Sequence, residues 1–522
     1  MRGIGGMAET VGTRGRVGAP AGRNGAGPAR VRRNDHPAPE PPDPGGWEPE
    51  LDAVVVVRAC GARGRLGPTL ASLAAQTYPA RLTEVVVVAD GGTPVRLPQV
   101  RPENTRTVAA GPGRSGPQDA VRAVAESSPD AAVLWLEAGT EVGRTHVEAH
   151  MRWHHLADHL VVLSGAASPE PDGGPGPEAA ASGGRDPSEG PGNAGHRGWR
   201  ALAGSAWSVR GGLLAECGGS GPAALVGGED HLAYRLAQRG AVFVPEPAAG
   251  VRGPGGPRGD GREDGDARFH RLRLEDRVPL LRFRRASRRR EWQVPFAEVV
   301  VEVAGARFEA VSDTVERLLG GDAADVRITL VGPWRDVPSG RHAVLDDPDA
   351  EPRLVREAFR CESRVVFAEE APRADPDVPF RLLVPPGAPV RPGAVDALAA
   401  AADACGAGLV RVRGAGALRL ERTAAFARAR RLGASGPDLD AAVAELWGEH
   451  EVDPAEVLEA DRPGGEGPPA DWHRRMRRAL RAADRHRAAA DRWERRIRVL
   501  VRGFGVRLLL GRTARGARVQ GP

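Results

Sequence analysis

The sequence predicts an α/β protein built on open, doubly wound mixed sheets. Three observations predict it: short β-branched runs, helical apolar spacing between them, and a second passage of the same order after residue 294. Ala53-Val54-Val55-Val56-Val57 has no polar residue, as a strand buried on both faces requires. Leu66, Leu70, Leu73 and Ala74 then recur at helical spacing, and Gln76-Thr77-Tyr78-Pro79 ends that helix because proline cannot continue it. Val85-Val86-Val87-Val88 supplies a second buried strand and completes a βαβ unit. A helix around Asp119–Glu126 leads to the third strand, Ala132-Val133-Leu134-Trp135-Leu136.

The second passage repeats these elements. Glu298-Val299-Val300-Val301-Glu302-Val303 matches the first strand, Val311, Val315 and Leu318 match the helix, and Val326-Arg327-Ile328-Thr329-Leu330-Val331 matches the second strand. Val54 and Val299, like Leu70 and Val315, stand 245 positions apart; Val142 and Val390, like Val147 and Val395, stand 248 apart. Asp440 falls where Asp230 falls. Duplication explains this register, although strand and helix also alternate in unrelated α/β folds.

At 522 residues the chain is too long for one core. Its 69 Gly and 46 Pro concentrate at Met1–Gly45, Ser164–Gly198 and Gly253–Gly265, which marks linkers or disordered insertions. The expected organisation is a disordered segment 1–50, a first domain 51–290 with a disordered insertion near 164–198, a second domain 293–457 lacking most polar residues of the first, and an Arg-rich helical tail 470–522. In that tail Trp472, Met476, Leu480, Ala483, Ala490, Trp493, Ile497 and Leu500 follow a 3.6 period, giving a basic amphipathic helix. Such a helix suits either peripheral contact with an anionic membrane or packing on its own domain.

All 73 basic residues are Arg, the mark of a very GC-rich, bacterial genome, so a single Arg carries little information. The net charge of +5 is small for the length and argues against a nucleic-acid partner. The six Arg of Arg282–Arg290 read as a solvated linker. Four scattered Cys without C-x-x-C spacing argue against a zinc site or disulfide framework. With no apolar leader and no 18-residue apolar window, the expected location is cytoplasmic, with the tail at the inner membrane face as an option.

Ligands of open α/β sheets bind beyond the carboxyl ends of the strands. Three acidic segments follow buried runs: Asp90-Gly91-Gly92-Thr93, Glu137-Ala138-Gly139-Thr140-Glu141, and Gly227-Gly228-Glu229-Asp230, which opens a helix. Each also has a plain structural explanation, as an Asx-turn at Asp90, loop carboxylates at Glu137 and Glu141, and first-turn charges on a helix dipole at Glu229 and Asp230. Five His between His146 and His159 lie in one helical stretch; with no partner carboxylate motif they fit a partly exposed amphipathic helix better than a metal site.

Thr69-Leu70-Ala71-Ser72-Leu73-Ala74-Ala75-Gln76-Thr77-Tyr78-Pro79, Val85-Val86-Val87-Val88-Ala89-Asp90-Gly91-Gly92 and Gly227 to Gly240 together resemble the family-2 glycosyltransferases of the GT-A type, over about Val54 to Pro247. The resemblance implies a GT-A-like fold and a hexosyltransferase-like enzyme of polysaccharide biosynthesis. It would move a sugar from a nucleotide-sugar donor to a saccharide or lipid-linked acceptor hydroxyl, with inversion. By the same resemblance Asp90 and Gly91 hold the nucleoside, and Glu137, with Glu141, stands where the family's D-x-D motif binds the diphosphate through a divalent cation (Mn2+ or Mg2+). Asp230, beside Glu229, is the catalytic base. The sequence departs from the family at Arg58 and Gly61, where Pro and Asn are usual, and at Gly139, where the second Asp of D-x-D would stand. A catalytically inactive GT-A-like binding or scaffold protein is the alternative.

Overall fold

In the computed structural model the described residues are 30–34, 41–43, 45–59, 66–89, 95–109, 116–166, 198–200, 202, 206–218, 228–253, 272–281, 285, 291–321, 325–335, 337 and 350–459. They form two mixed sheets flanked by helices, within one compact unit that ends at Glu459. The Arg-rich tail lies outside the described residues.

The first sheet comprises β1 (Ala53–Arg58), β2 (Thr83–Ala89), β3 (Thr105–Ala109), β4 (Ala132–Glu137), β5 (Glu141–Val142), β6 (Leu160–Ala166), β7 (Trp207–Arg210) and β8 (Val242–Arg252), in the order β3-β2-β1-β4-β7-β6-β8-β5. The second comprises β9 (Ala297–Glu302), β10 (Val326–Val331), β11 (Val365–Ala368), β12 (Phe380–Val384), β13 (Leu409–Val412), β14 (Arg419–Arg422) and β15 (Glu449–Val452), in the order β11-β10-β9-β12-β14-β13-β15. With β5 set aside, the two orders are the same. The senses agree as well: β1 and β9 run parallel to both neighbours, β4–β7 and β12–β14 are antiparallel, and β6–β8 and β13–β15 are parallel.

Side-chain detail repeats too. Gly139 N–H donates to Thr69 Oγ1 at 2.8 Å, and Gly387 N–H donates to Thr314 Oγ1 at 2.9 Å. Both glycines have positive φ, +100° and +84°, which admits them to a turn that side-chain-bearing residues resist. Val142 pairs antiparallel with Val251, and its counterpart Val390 bridges antiparallel to Leu458. The Thr69–Thr314, Gly139–Gly387 and Val142–Val390 correspondences obey the 245 and 248 spacings of the sequence, so the mixed α/β architecture is a duplicated one.

Valine runs fill the sheet centre because both faces are covered. Val54, Val56, Val86, Val88 and Val133 enter one apolar core, and Val55, Val57, Val85, Val87 and Leu134 enter the core on the opposite face. In the second sheet Val299, Val301, Ile328, Leu330 and Leu382 enter one apolar core.

Three expectations are corrected here. The His-rich helix His146–His154 is buried along its whole length rather than partly exposed. His150 bonds Ser208 Oγ at 2.7 Å and Ser164 Oγ at 2.9 Å, and His154 Nε2 bonds the same Ser208 at 2.7 Å, so serines of β6 and β7 satisfy both nitrogens of His150 and one of His154. Arg30–Asn34, placed by composition in a disordered segment, are ordered. The Asn34 side chain donates to Phe243 O at 2.9 Å and accepts from Phe243 N–H at 2.8 Å, as a neighbouring strand would, while Arg33 donates to Trp447 O at 3.0 Å and Cys405 O at 2.9 Å. Arg285 is not a solvated linker residue. It is buried, donates to Asp325 Oδ2 at 2.9 Å and to Glu275 O at 3.0 Å, and covers the Trp292 ring.

The two halves meet at a polar seam. Tyr234 OH donates to Asp377 O at 2.7 Å, Arg235 and Arg239 donate to Asp377 Oδ1 at 3.2 and 3.1 Å, and Arg428 donates to Gly240 O and Ala241 O, each at 2.8 Å. Burial pushes the Arg428 guanidinium down to about 9, while backbone carbonyl dipoles face its donors.

Candidate functional site

In the first sheet the chain runs from β1 outward to β2 and β3, then returns to place β4 on the other side of β1. The switch point therefore lies between β1 and β4, where such sheets open a crevice at the strand carboxyl ends. Arg58 and Glu137 are the last residues of these two strands and stand opposite one another in register. Arg58 Nη1 donates to Glu137 Oε1 at 3.0 Å, with side chains 39% and 34% exposed.

The loop leaving β4 is held by side chains of the helix Leu66–Ala74 and the turn after it. Thr69 Oγ1 takes the Gly139 N–H, Ser72 Oγ takes Val142 N–H at 3.2 Å, and Gln76 accepts from Val147 N–H at 2.9 Å while donating to Gly143 O at 2.7 Å. This explains Thr69, Ser72 and Gln76 within the Thr69–Pro79 motif: each supplies a hydrogen-bond partner to the backbone of that loop or of the helix after it. Thr69→Val and Thr314→Val are each expected to cost about 1–2 kcal/mol in urea unfolding, because each orphans one glycine N–H. Wild-type stability in both variants would show that the two turns hold without these bonds.

The sequence-chosen residues distribute as follows. Glu137 is at the switch point, half-exposed and paired with Arg58, a partner the sequence did not single out for it. Glu141 lies on the two-residue edge strand β5, exposed and opposite Arg252. Glu229 and Asp230 open the helix Gly228–Gln238, partly buried, and both are engaged by neighbours. Asp90 and Gly91 follow β2 directly and lie outside the described residues.

A hard divalent cation needs several oxygen ligands converging on one point. Glu137 is bound to a guanidinium, Gly139 has no side-chain oxygen, and Glu141 is on the sheet edge. Among the described residues no group of three His, Cys, Asp or Glu side chains is arranged to hold a metal ion. Glu137, Gly139 and Glu141 by themselves do not fit such a cation. Nor, among the described residues, is any helix long and apolar enough to cross a membrane.

No protein-family model matches the chain, and no curated protein matches its sequence. Solved structures similar to part of it include Staphylococcus aureus TarS 1-349 in complex with UDP-GlcNAc, at 17% identity over 43% of this chain and 66% of that one with a TM-score of 0.28. Others are GalNAc-T7 with UDP, GalNAc and Mn2+ (17% identity, 40% of this chain, 45% of that one, TM-score 0.29) and the mannosyltransferase PcManGT from Pyrobaculum calidifontis in complex with GDP-Man and Mn2+ (17%, 43%, 64%, 0.30). In two further TarS structures the matched region spans 59% of TarS 1-349 and 36% of TarS. At these scores the likeness is to part of a fold, and no residue role is transferred through it.

The second half presents a different surface at its own switch point between β9 and β12. Val303 follows β9 and Pro385-Pro386 follow β12, where the first half has Arg58 and Glu137. Trp334, at the position after β10 that corresponds to Asp90, is buried and donates its indole N–H to Leu330 O at 2.8 Å. Asp440, the counterpart of Asp230, is tied to Arg411 at 2.7 Å and Arg419 at 2.6 Å.

Proposed function

We propose that the first half transfers a sugar from a nucleotide-sugar donor to an acceptor hydroxyl, with inversion, and that the second half is a non-catalytic copy. The observation that carries this reading is the charged Arg58–Glu137 pair at the strand switch point, on a loop locked by Thr69, Ser72 and Gln76, and replaced by Val and Pro in the second half. In the proposed step the acceptor oxygen attacks the anomeric carbon as its bond to the diphosphate oxygen breaks. The proton passes to the Asp230 carboxylate and the electron pair leaves with the nucleoside diphosphate. Asp90 and Gly91 hold the nucleoside, and Glu137 orients Arg58. Glu229 precedes the base on the same helix turn, whose dipole favours carboxylates.

The test is nucleotide release from a panel of UDP- and GDP-sugars with a saccharide acceptor. Asp230→Asn keeps volume and one oxygen but cannot take the proton, so turnover should fall by roughly 100-fold or more while donor affinity holds within about twofold. Equal turnover by both proteins removes Asp230 as the base. Donor binding without turnover in the wild type would instead favour the inactive, binding-protein reading.

A further inference from the structure

The geometry points to a nucleoside-diphosphate site that meets its ligand with the Arg58 guanidinium rather than with a divalent cation. This rests on the reading of the first half as a nucleotide-sugar site, and adds what supplies the positive charge there.

Four observations converge on it. Arg58 ends β1 at the switch point, where the crevice of the sheet opens, and its side chain is 39% exposed. Its partner Glu137 is the carboxylate that a cation would need, and that carboxylate is already bonded at 3.0 Å. Two residues on, where a second carboxylate would have to stand, is Gly139, which has no side-chain oxygen and whose φ of +100° resists any side chain. The second half builds the same strands and the same glycine turn with Val303 and Pro386 in place of the pair, so the fold itself does not require Arg58 and Glu137.

A guanidinium suits the task. Its planar fork of donors matches two phosphate oxygens at once, and its charge persists at any working pH. Glu137 then acts as a positioning residue, holding the fork at the crevice in the ligand-free protein and competing with the phosphate for it.

That competition provides a test whose sign differs between the two chemistries. The full chain is titrated calorimetrically with UDP and with GDP, once in EDTA and once with excess Mn2+. Expected are affinities that agree within about twofold between the two buffers, a loss of roughly tenfold or more in EDTA for Arg58→Gln, and, for Glu137→Gln, an affinity that is likewise the same within about twofold in EDTA and in Mn2+. Circular dichroism confirms that each variant is folded. Tightening by roughly tenfold or more in Mn2+, abolished by Glu137→Gln, would make Glu137 a metal ligand and overturn the inference while leaving the nucleotide-site reading in place. Undiminished binding by Arg58→Gln overturns it too. No binding of either nucleotide in either buffer removes both.

Discussion

Gly240→Ala should destabilise the chain by about 3 kcal/mol, read from the urea midpoint, through a combination of backbone strain and collision at the seam between the halves. Gly240 follows the helix Gly228–Gln238 with φ +86°, a conformation that L-residues resist. A Cβ there would stand 2.6 Å from Arg428 N and 2.7 Å from its Cα, and backbone atoms inside a helix cannot swing aside as a flexible side chain would. The same close approach lets Arg428 Nε reach Gly240 O at 2.8 Å, so displacing the helix also strains the hydrogen bonds of a fully buried guanidinium. Gly305→Ala is the control, because Gly305 has φ +73° but open space around its missing Cβ. Strain alone should cost that variant about 1 kcal/mol. Equal losses in the two variants would mean that the seam yields freely.

Acidification from pH 7.5 to 5.5 should remove roughly 4 kcal/mol of stability through His146, His154 and His231 alone, each contributing about 1.4 kcal/mol over that interval. Burial pushes these imidazoles down from 6.5, to about 4 for His146 and His231 and to about 3 for His154. His150 and His159 are lowered by burial as well. The sign follows from proton counting: below pH 6.5 the unfolded chain takes up protons that the folded chain refuses, so the stability is complete above 6.5 and is lost as pH falls toward 4. The check is the urea midpoint at both pH values, with His154→Gln expected to lessen the pH dependence. A midpoint that does not move would mean that the histidines protonate within the fold.

The order of strands and helices around β1, β2, β4, β9 and β10 was legible because a central strand buried on both faces must be apolar throughout, and a run of valines shows that without knowing its neighbours. The edge strand β3, Thr105–Ala109, was not, since its exposed residues need no pattern. Polarity misled at the histidine helix: five imidazoles look like a surface until Ser164 and Ser208 arrive from β6 and β7 to bond His150 and His154. Among 73 arginines nothing in the sequence singled out Arg285 or Arg428 as buried.

By itself the sequence determined the α/β class and the internal duplication, because periodicity and the 245 and 248 spacings are properties of the chain read along its length. Only the tertiary structure decided the state of the charges. It brought Arg58 to a Glu137 that lies 79 positions away, and buried Arg428 against carbonyls 187 and 188 positions earlier. Ion pairing and desolvation depend on what lies across a few ångströms of space, and the sequence does not record that distance until the chain has folded.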